Sequence, residues 1–521
     1  MARIVLLNPR FDATFLGLEH ALPLLHKKAT MPVSSLPLLA ALTPPDHEVT
    51  IIDENVEPID FARLARADLV GLTGMIVQRK RMREILTAVK ARNVFTVVGG
   101  RWVTVQEDYF GDLPDAVFIG EAEETWPRFL EDWAHGTPKR RYEQTNPSDM
   151  TRVPPPRLDL LETKKYLFGG VQFSRGCPFQ CEFCDIVATP AGRRPRFKTA
   201  EQVIAELDAL RAHHLDVAFI VDDNFVANRA AIKGLLGHVV RWQEEHGYPI
   251  IFVAEASLDL AEDPELMEMM VGANIQSVFV GIESSSEESL RGTRKYQNIS
   301  RKKSLVERVR VIQNAGLEVW CGMVLGFDQD GPEVFEAQLD FVRQARVVTV
   351  MLSMLSAIPR TALHARLAAE GRLDLDDEPA FGTNVRPLKM TREQLRDGYR
   401  WLMNELYSPA NYFERLDGLL LEDGFQLARR QALYWRRHPW AGLRARALLT
   451  IRTAFVFAQL MRNVPDPELR REYRRRVLRM VRARRDPALL FGYVLKCAMH
   501  YHHCRMGRDM ARDESRVVNP Y

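Results

Sequence analysis

Short apolar strands alternate with helical stretches through the first two thirds of this chain. That alternation restricts its fold more than any other feature. A strand, a helix and a second strand in succession read as a parallel pair joined by a crossover. Two such series are present. The first occupies residues 1–140, with strands predicted at 3–7, 47–53, 69–73, 95–98 and 116–120 and a helix over 79–92. Five parallel strands with crossover helices make an α/β doubly wound sheet. Residues 141–165 are polar and rich in proline, and read as a linker. The second series fills 166–365, with strands predicted at 170–174, 217–221, 250–254, 277–281, 317–325 and 347–355. Between them lie a helix over 200–210 opened by the capping box Thr199-x-x-Gln202, and one capped by Asp263 with Pro264 at its first position. A helix over 300–315 stops at Gly316. Six strand–helix units of this length support a barrel or partial barrel. Residues 366–521 are helix-rich and show no strand series.

A length of 521 residues suits two or three domains, and 46% hydrophobic with 27% charged residues is the composition of a soluble globular protein. The six cysteines are three clustered (Cys177, Cys181, Cys184) and three scattered (Cys321, Cys497, Cys504), which is no disulfide framework and fits a reducing cytosol. The N-terminus runs straight into a strand without the cleavage region of a signal peptide. No uncharged run reaches the ~18 apolar residues of a membrane span; the best stretch, 447–461, is interrupted by Arg452. The net charge of +3 hides an asymmetry. From Arg429 onward there are 22 Lys and Arg against 7 Asp and Glu, a net of +15, which leaves −12 on the rest. A basic tail on an acidic body suggests an anionic partner or surface, although an arginine run such as 470–485 also suits a solvated helix face. The tail carries no aromatic-interleaved RNA-binding module, which argues against nucleic acid.

The chemistry concentrates just after the first strand of the second series. Cys177-x-x-x-Cys181-x-x-Cys184 places three thiols within eight residues. Three thiolates can hold three irons of a four-iron, four-sulfur cluster and leave the fourth iron open. A zinc knuckle would require four ligands, and no fourth Cys or His follows at short range. The later strands end in polar groups: Asp222-Asp223-Asn224, Glu255-Ala256-Ser257, Gly281-Ile282-Glu283-Ser284, and the fifth carries Gly322 to Phe327. In βα barrels such strand ends point into the site. Carboxylates on three of them are hard to explain by packing, since a buried charge needs partners. The strands of the first series end in Thr73-Gly74-Met75, Gly99-Gly100-x-x-x-Thr104 and Gly120-Glu121-x-Glu123, where glycines let a ligand approach the backbone.

The cysteine spacing, with the aromatic Phe183 before the last cysteine, resembles the radical S-adenosylmethionine (radical SAM) superfamily. With the glycine-bearing strand ends ahead of it, the chain is similar to the cobalamin-dependent (class B) radical SAM methyltransferases. The likeness covers most of residues 1–410 and is greatest to members that methylate hopanoid lipids at C-2. It implies a flavodoxin-like (Rossmann-type) cobalamin-binding domain over 1–140, a partial (β/α)6 radical SAM barrel over 166–365, and a helical C-terminal region. It implies a [4Fe-4S] cluster on Cys177, Cys181 and Cys184, and SAM contacts from Phe183, Asp222, Asp223, Asn224, Glu255, Ser257, Glu283, Gly322 and Gly326. Thr73, Gly74, Met75, Gly99, Gly100, Thr104, Gly120 and Glu121 are the implied cobalamin contacts. The segment Asp12 to Gly17 has Thr14 where other cobalamin proteins place a cobalt-binding histidine, so none is expected from that position. The implied reaction uses methylcobalamin and a 5′-deoxyadenosyl radical to methylate an unactivated carbon, with no side-chain base assigned. Relatives act on other scaffolds too: peptide or antibiotic precursors, ring closure in chlorophyll synthesis, and tRNA. A reducing partner such as flavodoxin or ferredoxin is implied. A lipid substrate together with the basic tail implies peripheral contact with an anionic membrane from the cytoplasm.

Overall fold

Strands with no polar face must be covered on both sides, as in parallel sheets flanked by helices. In the computed structural model, which describes residues 1–11, 14–188, 192–300, 302–377 and 379–512, they form two such sheets. The first contains β1 (Arg3–Asn8), β2 (Glu48–Asp53), β3 (Leu69–Thr73), β4 (Phe95–Gly99), β5 (Ala116–Ile119) and β6 (Arg141–Glu143), all parallel in the order β2-β1-β3-β4-β5-β6. On one face lie α1 (Ser35–Leu42) and α4 (Thr125–Ala134); on the other lie α2 (Arg79–Lys90) and α3 (Arg101–Val105). The sixth strand falls where the sequence reads as linker. It is three residues long and only Tyr142 is buried, too little for any pattern to show. Tyr142 stacks on Phe118 at 5.3 Å and its hydroxyl donates to Asp132 at 2.8 Å.

The second sheet begins at β7 (Gly169–Val171). A short antiparallel pair, β8 (Ser174–Arg175) and β9 (Arg196–Phe197), follows. β10 (Val217–Ile220), β11 (Ile251–Ala256), β12 (Ile275–Glu283), β13 (Glu318–Leu325) and β14 (Thr349–Met354) then add in turn. The order β14-β13-β12-β11-β10-β7 is all parallel, and its two outer strands do not pair, so this is a partial barrel. The predicted first strand over 170–174 breaks in two. The Asp222 carboxylate accepts the Phe173 and Ser174 N–H groups at 2.8 and 2.9 Å, and these donors leave the ladder.

The crossover helices are α5 (Ala200–Ala212), α6 (Arg229–His246), α7 (Pro264–Gly272), α8 (Leu305–Ala315) and α9 (Val334–Ala345). The Thr199 capping box, the Asp263 cap on Leu266 N–H at 3.0 Å and the left-handed Gly316 are where the sequence predicts them. α8 starts later than predicted. Ser304 and Glu307 form a reciprocal capping box there, and it overrides the earlier Ser300.

Among the described residues seven further α-helices follow: α10 (Ala362–Ala369), α11 (Arg392–Leu406), α12 (Pro409–Asp417), α13 (Arg429–Arg437), α14 (Pro439–Asn463), α15 (Pro467–Ala483) and α16 (Pro487–Arg512). α10 packs Leu363 and Leu367 in a smaller cluster with Val324, Phe327 and Leu355, whereas α11, α12, α14, α15 and α16 share one hydrophobic core with the barrel. Tyr407 and Tyr412 belong to that packing: the Tyr407 hydroxyl pairs with both N–H and C=O of Val350, and Tyr412 donates to Lys496 O at 3.0 Å. Cys321, Cys497 and Cys504 are buried in the same core. α16 also ties down the N-terminus. His502 and His503 meet the carbonyls of Thr14 and Phe15 at 3.1 and 3.2 Å, and Thr14 Oγ1 caps its own turn on Gly17 N–H. Among the described residues no helix is long and apolar enough to cross a membrane.

Candidate functional site

The three clustered cysteines sit on the loop between β8 and β9, at the C-terminal end of the barrel. Gly176 opens the loop at φ 99°, where a Cβ would stand 2.9 Å from Arg194 O, so only glycine fits. The loop is gripped between its cysteines. Glu182 accepts two hydrogen bonds from Arg366 of α10 at 2.7 and 3.1 Å, and its N–H donates to Thr293 O at 3.0 Å. Side-chain amides approach two of the sulfurs: Asn224 Nδ2 lies 4.0 Å from Cys177 Sγ and Gln297 Nε2 lies 3.4 Å from Cys181 Sγ. Burial pushes the Cys177 thiol up and that of Cys184 up to about 12, with the Asp185 charge adding to the second. Thiols so placed lose their protons to a metal rather than to water. Among the described residues no three His, Cys, Asp or Glu side chains converge as they would around a single ion. A four-iron cluster instead gives each thiolate its own iron, so this donor set fits it and leaves one iron without a protein ligand.

The barrel strand ends surround that loop. Asp222 is 2% exposed, and its oxygens are taken by Phe173 N–H, Ser174 N–H and Ser174 Oγ. Burial pushes it up to about 7 despite these donors. With these three donors the carboxylate shapes the entry to the cluster loop. Asp223 accepts Gly176 N–H at 2.7 Å and Arg101 Nη2 at 3.2 Å. Asn224 Nδ2 donates to Ser257 Oγ at 3.2 Å, which joins the ends of β10 and β11. Glu255 at the end of β11 is pushed up to about 7, first by burial and then by the charge of Asp223. Glu283 closes β12 in a left-handed conformation, φ 66°, beside a bulge, and accepts Lys295 Nζ at 2.7 Å. A non-glycine residue held there stores backbone strain of a kind that collects at functional sites. Lys295 is held above its usual range: burial opposes its charge, but Glu283 and then the Cys181 and Cys184 sulfurs favour it. Gly322 lies in register with Gly281 on β12, and Gly326, just past β13, donates to Asp330 at 3.0 Å. Phe183 packs on Phe327 at 5.9 Å.

A cavity of about 390 Å³ opens at the C-terminal ends of β3, β4 and β5. Thr73, Gly74, Met75, Gly99, Gly100, Gly120 and Glu121 line it. Thr104 does not reach it but ties its rim, accepting Gly120 N–H at 3.1 Å and donating to Gly100 O at 3.0 Å. Gly100 stands at φ 98°, where a Cβ would lie 2.6 Å from Thr73 Oγ1. The depth of the cavity is apolar, with Leu36, Leu39, Val97, Phe118 and Trp126. A glycine rim over an apolar slot fits cobalamin, a ligand with both polar and apolar parts, and these residues would hold it. No histidine lines the cavity among the described residues.

Ion pairs join this cavity to the cluster loop. Arg175, two residues before Cys177, pairs with Glu123 at 2.6 Å. Burial raises Glu121, but Arg196 and Arg175 bring it down to about 2. Arg101, on the helix after Gly100, reaches Asp185 at 2.9 Å and Asp223 at 3.2 Å. Lys295, Arg101, Glu182 and Arg366 are the residues that sequence reasoning missed. Only Arg101 had a visible signal, its place directly after Gly99-Gly100.

Residues 28–130 match the B12 binding domain family, 171–342 the radical SAM superfamily, and 361–516 a domain of unknown function, DUF4070. The chain is 39% identical over 419 residues to an uncharacterized methyltransferase of Synechocystis, covering 79% of this chain and 77% of that one. It is 35% identical over 449 residues to the hopanoid C-2 methylase of Rhodopseudomonas palustris, covering 85% and 82%. Among solved structures, the cobalamin-dependent SAM radical enzyme OxsB, with aqua-cobalamin and SAM bound, has a similar fold at a TM-score of 0.61 and 15% identity, covering 99% and 80%.

Proposed function

Because this chain belongs to the cobalamin-binding radical SAM family, among its methyltransferases, we propose that its substrate is a hopanoid lipid and that it methylates C-2. Its cofactors are a [4Fe-4S] cluster, SAM and cobalamin. When bound, the cluster and SAM supply a 5′-deoxyadenosyl radical that takes a hydrogen atom from carbon, and cobalamin supplies the methyl group.

The chain's own residues hold and align these parts. Cys177, Cys181 and Cys184 ligate the cluster. Lys295 would pair with the SAM carboxylate, and Glu283, Asp223, Asn224, Ser257 and Glu255 would hold its amine and ribose. Gly322 and Phe183 bound the nucleoside. Thr73, Gly74, Met75, Gly99, Gly100, Gly120 and Glu121 cradle cobalamin, and Thr104 steadies their loops. The observation that carries the reading is the shared wall: the loop lining the cavity reaches the cluster loop directly through Arg101. Such alignment is the main task of a protein around two reactive cofactors. A radical acting on an unactivated C–H bond needs no side-chain base, in keeping with a site made of binding groups.

The hopanoid assignment is supported by likeness to the C-2 methylase over more than four fifths of both chains. A pentacyclic lipid resides in membranes, so the enzyme works as a peripheral protein on an anionic inner face, from the cytoplasm, with a flavodoxin or ferredoxin as reductant. Expression in a hopanoid-producing host that lacks C-2 methylation tests the substrate. Appearance of a 2-methyl lipid is expected; an unchanged lipid profile with a soluble, cofactor-loaded protein would contradict it.

A further inference from the structure

α14 is apolar on two opposite sides. One side, with Gly442, Thr453, Val456 and Leu460, is buried in the C-terminal helices. The other carries Trp440, Leu443, Leu448, Ile451 and Phe455, whose exposures run from 83% at Trp440 to 40% at Phe455. Spacings of three to five residues put these five side chains on one stripe. A single exposed leucine is ordinary, but a continuous apolar stripe marks a surface meant to be covered.

The charge around the stripe indicates what covers it. Residues 429–463 contain eight arginines, no lysine and no Asp or Glu. Arg436, Arg437, Arg444 and Arg446 are exposed at the α13–α14 corner beside Trp440. The arginine run of α15 is different. Arg471 pairs with Glu468, Arg475 and Arg476 with Glu472, and Arg476 and Arg479 with Asp417, so four of that helix's seven arginines have acid partners within the chain. Polar contacts orient α13 and α14 on the rest of the chain. Arg430 pairs with Glu268 at 2.9 Å, Gln431 donates to Tyr248 O at 3.0 Å, and Arg452 pairs with Asp216 at 3.0 Å.

We propose that the outer face of α14, with the arginines of the α13–α14 corner, docks in the headgroup region of an anionic lipid bilayer. Leucine, isoleucine and phenylalanine enter the acyl boundary, tryptophan sits at the interface, and arginines bind phosphates above it. At 25 residues α14 is about 37 Å long, and it lies in the plane of the surface. A second copy of the chain suits the stripe less well, because it would bring two acid-free arginine clusters together. A nucleic acid would leave the aliphatic residues without partners. The proposal deepens the reading of a membrane-resident substrate. Its test reads vesicle binding alone, so it can fail while lipid methylation stands, and the reverse.

The experiment is flotation of the full-length holoenzyme with vesicles of phosphatidylglycerol and phosphatidylcholine, against phosphatidylcholine alone. Binding to the anionic vesicles, weakened by salt, is expected. The variant Leu443→Glu/Ile451→Glu should lose at least tenfold in partitioning while its melting temperature and SAM cleavage stay as in the parent. Arg436→Gln/Arg437→Gln/Arg444→Gln should lose the preference for anionic vesicles. Equal flotation of the parent and the Glu variant would overturn the proposal. So would a dimer in sedimentation that the Glu variant dissolves, or tighter binding to duplex RNA than to vesicles.

Discussion

Lys295 and Glu283 show how the site works residue by residue. Their charges meet at 2.7 Å with side chains only 12% and 11% exposed. Removing one partner of such a pair leaves the other charge buried alone, at a cost of roughly 3–5 kcal/mol, whereas removing both is far better tolerated. Glu283→Gln and Lys295→Met should each lower unfolding stability by that amount. The double variant should recover most of it, and none of the three should bind SAM normally. Equal losses in the single and double variants, followed by denaturant unfolding, would show that the two groups act independently. The cysteines and Glu283 are legible in the sequence because spacing and strand ends point at them. Lys295 is not, since a turn and a short helix separate it from Glu283. Nor can a sequence say which of Asp222 and Asp223 faces the cluster loop. Adjacent side chains at a strand end point to opposite sides, and the structure turns Asp222 inward to three donors while Asp223 faces Gly176 and Arg101.

Among the elements, α3 and α16 carry the contacts that hold the parts in register. Arg101 at the start of α3 is 47% exposed, so its ion pairs contribute little to stability, within about 1 kcal/mol. Its effect is on alignment. Arg101→Met should keep cobalamin bound and keep 5′-deoxyadenosine formation, while methylated product per 5′-deoxyadenosine falls at least tenfold. An unchanged ratio would remove Arg101 from any positioning role. In α16, burial lowers His500 and His502 to about 3 and holds His503 well below its ordinary value. In the unfolded chain each titrates near ~6.5. Above that value both states are neutral and stability is complete. Below it the unfolded state takes up protons that the folded state refuses, so stability falls by about 1.4 kcal/mol per pH unit for each histidine. Denaturant midpoints should drop steeply between about pH 6.5 and 5, and a flat profile would mean that these rings are protonated in the fold. The long parallel strands are legible as apolar runs. β6 escapes because one tyrosine packing inward makes no pattern, and the break after β7 escapes because it is imposed by Asp222, some fifty residues further along the chain.

Over the whole molecule, three regions converge on the cluster loop and the strands that flank it. The cobalamin-binding domain reaches them through Arg101, Glu121 and Glu123; the barrel through Asp222, Asp223 and Asn224; and the C-terminal region through Arg366 on Glu182. That last contact gives the DUF4070 region a structural tie to the cluster loop, in addition to the apolar stripe it presents on α14. This convergence was not legible in the sequence, where the helical tail showed only charge, because long-range ion pairs leave no local pattern. On the proposed function, one SAM molecule would give up a methyl group and a second would be cleaved to a radical in each catalytic cycle. The most direct test is product accounting on purified holoenzyme with SAM, reductant and a hopanoid. The expected result is one 5′-deoxyadenosine and one S-adenosylhomocysteine for each methylated lipid. Release of 5′-deoxyadenosine without S-adenosylhomocysteine or methylated lipid would contradict methyl transfer at this site.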